Sequence, residues 1–151
     1  MNFAGVILVL ALQTTSLADL QAEAERHGRL NAAVGYCTLV GYSTDPAALD
    51  ALAEGFRVKA AADGMDADQV AKAIEAGVAK EIDEVRLQGN EADMAPAERK
   101  VQTIRTVNSI KTRCNAFGTG EFRSVIGDLE KGDAGADAML AEMLAQIDSG
   151  G

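Results

Sequence analysis

The chain has 151 residues, 25% of them charged, and its 14 basic against 23 acidic residues leave a net charge of −9. So acidic a chain is excluded from sequence-independent nucleic-acid binding and from adhesion to anionic lipid, which both need a basic surface. The length suits one domain with a core of its own. With 28 alanines, 4% aromatic residues and no tryptophan, closely packed helices are favoured over a β-sandwich.

The first charge is Asp19. Residues 3–12 form an apolar run that ends at Gln13, short of the about 20 residues that cross a bilayer. A run of about 7–15 apolar residues followed by small ones is the pattern of a secretory signal peptide. Ser16-Leu17-Ala18 supplies the small-x-small cleavage site, although no basic residue precedes the run. The expectation is a leader over 1–18 cut after Ala18, a periplasmic or secreted mature chain, and no stable membrane insertion after cleavage.

Helical spacing then organises the mature part. Leu30, Val34, Cys37 and Gly41 share one stripe of a helix over 20–39. Asp45 before Pro46 is an N-cap followed by a proline in the first helical position, which starts a helix over 46–62 with Leu49, Leu52, Ala53, Phe56 and Ala60 inward. Gly64 suits the left-handed turn after it. Asp66 and Gln69 form a capping-box variant, with Met65 and Val70 placed as a hydrophobic staple. The third helix, 67–87, presents Val70, Ile74, Val78, Ile82 and Val85 to the core. A fourth begins at Asp93 or Pro96 and runs to 117, with Val107, Ile110, Cys114 and Phe117 on one stripe. A shorter helix over 121–129 buries Phe122, Val125 and Ile126, an acidic glycine-containing link follows, and an amphipathic helix over 136–147 closes the chain.

Two cysteines in an exported chain read as a disulfide. Cys37 and Cys114 each lie on the apolar face of a helix, as a staple between helices requires. The loop of 77 residues that they would close is worth roughly 4 kcal/mol in the chain-entropy account.

Chemistry is sparse. His27 is the only histidine, with Glu23 four residues earlier, the spacing of a surface contact on one helix. One histidine cannot build a His-rich zinc site, and cysteines bonded to each other are no ligands. Residues 128–139 and 63–68 lack the calcium-loop pattern. The nucleophile-elbow, P-loop and Ser-x-x-Lys patterns are absent, so no catalytic residue, metal or cofactor is assigned. The stretch 99–113 carries Arg99, Lys100, Arg105, Lys111 and Arg113 without an acidic residue, and reads as pairing with acidic faces of neighbouring helices before it reads as a docking strip.

The chain is therefore expected to be all-α, a compact bundle of five to six helices with one inter-helix disulfide. The expected layout is leader 1–18, stapled helical domain 19–131, and a flexible link with a C-terminal helix over 132–151. The expected function is that of an exported, non-catalytic module binding an unknown protein partner. Met139, Leu140, Met143, Leu144 and Ile147 are its candidate partner-binding face, since Met-rich apolar faces adapt to partners. The alternative is an envelope stress or chaperone-like protein that exposes apolar helical surface.

Overall fold

A computed structural model describes residues 15–86 and 91–150. Among them are five α-helices: α1 (Leu17–Val40), α2 (Pro46–Ala62), α3 (Ala67–Val85), α4 (Pro96–Thr119) and α5 (Leu129–Ser149). A 3-10 turn covers Glu91–Asp93, and two short strands, β1 (Ser43–Thr44) and β2 (Ile126–Gly127), pair antiparallel. The all-α class and the inter-helix disulfide are as expected.

The starts of α2 and α3 follow from their caps. Asp45 accepts the backbone N–H of Ala48 at 3.1 Å, with Pro46 opening α2. Asp66 accepts from Gln69 N–H at 2.9 Å while the Gln69 side chain accepts from Asp66 N–H at 3.1 Å, a complete capping box. Met65 and Val70 are buried in one cluster, as a staple demands.

Helix α2 returns along α1, so α1 and α3 run side by side. Glu25 lies opposite Gly77 and Arg29 reaches Glu81. Their crossing is tight because it is made of glycines. A Cβ on Gly28 would sit 2.0 Å from the Ile74 carbonyl oxygen, and one on Gly77 would sit 2.0 Å from that of Glu25. This approach rotates the buried seam of α3 from its expected position. The buried stripe is Val70, Ala73, Gly77, Glu81 and Val85. Ile74 and Val78 are only partly buried, and Ile82 is 48% exposed. Small residues win the contact because they let two backbones meet.

The region after α4 also departs from expectation. Residues 121–125 form turns and not a helix, and they lead into β2. Asp45 N–H donates to the Val125 carbonyl at 2.8 Å, and Ser43 and Thr44 pair with Gly127 and Ile126. Phe122, Val125 and Ile126 are buried as expected, but by a folded turn. The expected link is the beginning of α5. Its glycines serve close packing and do not loosen the chain: a Cβ on Gly132 would meet the Tyr42 ring at 2.1 Å, and one on Gly135 would meet the Val40 carbonyl oxygen at 2.3 Å.

Two separate clusters make the core. The first gathers Leu30, Ala33 and Cys37 of α1 with Val107 and Cys114 of α4, the 122–126 turn and Ala136 of α5. Cys37 and Cys114 are bonded there across 77 residues, both fully buried, with Cα atoms 5.8 Å apart. The second cluster is smaller and lies toward the start of α1. It holds Leu20 and Ala24, Phe56 and Ala60 of α2, then Met65, Val70 and Ala73.

Candidate functional site

Three places in the fold concentrate polar or open features. The first is the seam of α1, α3 and α4. Glu81 is fully buried, a costly position for a carboxylate unless it is paired and hydrogen-bonded on every side. It is. Arg113 donates from Nε at 2.7 Å and from Nη2 at 2.5 Å, Arg29 from Nη1 at 2.9 Å, and Tyr36 from its hydroxyl at 2.5 Å. Burial pushes the Glu81 carboxyl up, and the hydrogen bonds from Arg113, Tyr36 and Arg29 outweigh it and hold the group below the usual range. Glu84 takes second contacts from both arginines, at 2.8 Å and 3.4 Å. Two cations thus face two carboxylates, and the network has no charge left over for a ligand. It ties three helices together.

The second place is the seam around His27. It is buried, 6% exposed, and not the surface residue its spacing with Glu23 suggested. Its ring stacks on Phe56 of α2 at 4.9 Å between centroids and meets the edge of Phe122 at 5.6 Å. Phe56 belongs to the second core and Phe122 to the first, so His27 stands where they adjoin. A small open cleft that Glu23, Lys59 and Glu121 also line reaches the ring. Burial lowers its pKa from the ordinary histidine value, with Glu23 and Glu121 opposing and Arg26 and Lys59 assisting.

The third place is an open cleft of about 520 Å³ between the end of α2 and the start of α3. Met65, Val70, Ile74 and three alanines line it, with Arg57 and Glu75 also on its wall. It exists because Gly64, at φ +90°, turns the chain sharply between two capped helices whose facing residues are small.

The residues expected to matter fall elsewhere. Met139, Leu140 and Met143 pack half-buried against the first core, and Leu144 and Ile147 are half-buried further along α5. Within 99–113, Lys111 pairs with Asp137 at 2.7 Å, Lys100 pairs with Asp148, and Arg113 serves Glu81. Residues 1–14 of the expected leader lie outside the described residues. Ser16 caps α1, accepting from Asp19 N–H at 3.2 Å, and Leu17 and Ala18 form its first turn, so a cut after Ala18 would remove that cap.

Among the described residues, no group of three or more His, Cys, Asp or Glu side chains is placed to hold a metal ion, and no helix is long and apolar enough to cross a membrane. The Glu81 and His27 sites were missed because each is assembled from distant segments. The spacing of Ala73, Gly77 and Glu81 at intervals of four was the one sequence signal for the first. No family model matches the chain, and no curated protein or solved structure is detectably similar to it.

Proposed function

We propose that the chain is an exported, non-catalytic module that binds a protein partner in the cleft between α2 and α3. The observation that carries the reading is the cleft itself: an open, largely apolar concavity with one cation and one anion on its wall. Binding sites are mostly apolar concavities of roughly 300–1,000 Å³ with a few polar groups to fix orientation. An apolar helical or extended segment with flanking charges of both signs suits it. Export is favoured by the bonded cysteines, since disulfides persist in oxidising compartments. The non-catalytic reading rests on what the reactive side chains are doing: both cysteines are bonded and the sole histidine is packed between two rings.

The test is capture from an envelope extract, comparing the wild-type chain with Ala71→Arg. Ala71 is exposed on the cleft wall, so the variant is expected to keep its melting temperature. A protein retained by the wild type and lost by the variant supports the reading. Equal retention by both, or none by either, contradicts it. A chaperone-like envelope protein is the second reading, favoured by the small second core, whose apolar residues would form a binding surface if that end opened. The α5 face, Met139 to Ile147, stays half open to solvent, with Met139, Leu140 and Met143 resting on the first core.

A further inference from the structure

A cavity of about 290 Å³ opens between α1, α4 and the turn after α4, and it shares no lining residue with the cleft between α2 and α3. Three guanidinium groups line it, those of Arg26 and Arg29 from α1 and Arg113 from α4, together with the rings of Phe117 and Phe122 and the carboxylate of Glu121. We propose that this cavity binds a small amphipathic monocarboxylate, with its carboxylate on Arg26 and Arg29 and its aromatic or branched apolar body against Phe117 and Phe122.

The three arginines have different duties. Arg113 spends Nε and Nη2 on Glu81, and its guanidinium lies over the Phe117 ring, 5.4 Å from the centroid. It is a fixed wall. Arg29 is anchored through Nη1, which donates to Glu81 at 2.9 Å and to Glu84 at 2.8 Å. Its position is therefore set in advance, while Nε and Nη2 make no hydrogen bond among the described residues. Arg26 stands three residues before Arg29, a spacing that puts both on one side of α1. Its ion pair with Glu121 is 3.4 Å long, and both side chains are about half exposed. Such a pair is worth little.

Charge selects the ligand class. Arg29 and Arg113 balance Glu81 and Glu84, so the cation outside that network is Arg26, held only by Glu121. An incoming carboxylate takes the place of Glu121 on Arg26 and receives a further bond from Arg29. One cation released from a weak pair accommodates one negative charge; a phosphate dianion would bring a second charge beside Glu84 and Glu121. The planar fork of a guanidinium also matches the two oxygens of a carboxylate. The Phe117 and Phe122 rings, 6.1 Å apart, offer the rest of the ligand apolar contact only. A void of about 150 Å³ accepts one benzene ring, so this cavity has room for one ring and its carboxylate. The inference does not rest on partner binding in the other cleft, and its probe is a small molecule, so either proposal can fail alone.

The test titrates the full chain with phenylacetate at neutral pH and follows the arginine Nε–H and phenylalanine ring resonances. Saturable shifts are expected at Arg26, Arg29, Phe117 and Phe122, with a dissociation constant of roughly 1 mM or tighter. The uncharged 2-phenylethanol and inorganic phosphate should each bind about tenfold more weakly. Arg26→Gln should weaken phenylacetate binding about fivefold or more, and Glu121→Gln, which removes the competing carboxylate, should strengthen it. Ala116 is exposed on the cavity wall, so Ala116→Trp should fill the cavity and abolish binding at an unchanged melting temperature. No saturation by about 10 mM phenylacetate overturns the proposal. So does phosphate or 2-phenylethanol binding as tightly as phenylacetate, or equal binding by wild type and Arg26→Gln. Should a variant not fold, the comparison of the three probes on the wild-type chain decides.

Discussion

On one side of His27, Cys37 is bonded to Cys114 and Glu81 is clasped by Arg113, Arg29 and Tyr36; on the other, α2 rests on α1 and α3 through Phe56 and Ala60. Both regions bury apolar side chains, but the first adds a covalent bond and a buried charge network to its packing. The second relies on burial, worth roughly 1.5–3 kcal/mol per large side chain before entropy is subtracted, and on one partly exposed ion pair, Lys59–Glu23. Local opening follows the least-braced contacts. The difference therefore assigns rigidity to the stapled end and motion to the α2 end, and it puts the apolar cleft on the side that moves.

The comparison can be broken most forcefully at Glu81. Glu81→Ala leaves the partly buried Arg29 and Arg113 with only the half-exposed Glu84 between them and Tyr36 without its acceptor, and should lower stability by about 3–5 kcal/mol, read by urea unfolding. A loss below about 1 kcal/mol would mean that the network does not brace the first core. Replacing both cysteines by serine should cost about 4 kcal/mol, or about 10–15 °C in melting temperature by scanning calorimetry. Phe56→Ala should weaken docking of α2 by about 3 kcal/mol. It should strip amide protection over residues 56–62 while the first core unfolds at nearly the wild-type urea concentration. If the whole protein unfolds with it, the two cores are one cooperative unit. Lys59→Met sharpens the contrast from below: an exposed ion pair such as Lys59–Glu23 should contribute less than about 1 kcal/mol, with a correspondingly small shift in melting temperature.

Acid separates the two ends along the same line. His27 loses its contribution as pH falls below the unfolded value of 6.5, whereas Glu81, held ionised below its ordinary 4.5, keeps its contribution above that value and loses it only as pH falls through the folded one. The His27 contribution therefore begins to fall at a higher pH than the Glu81 contribution.

Much of the frame could be read from local signals. Asp45 before Pro46, and Asp66 with Gln69, mark helix starts because caps are local chemistry. Cys37 and Cys114 could be paired because each fell on an apolar stripe. What escaped was assembled from afar. Glu81 is buried only because Arg29 and Arg113 arrive from two other helices, and Gly28 lets α3 come close enough. Gly132 and Gly135 read as a loose link until Tyr42 and Val40, 90 and 95 positions earlier, are found against them. Phe122, Val125 and Ile126 imitate helical spacing, yet pairing of β1 with β2 settles them as a turn. The cleft is a gap between helices, and His27 owes its environment to two phenylalanines remote in the chain.

The most direct test of the two-part account is native-state hydrogen exchange at neutral pH over a series of low urea concentrations. Amides 56–62 are predicted to exchange through a local opening of lower free energy and weaker urea dependence than amides 107–114, which exchange only on global unfolding. A single opening free energy shared by both sets would contradict it.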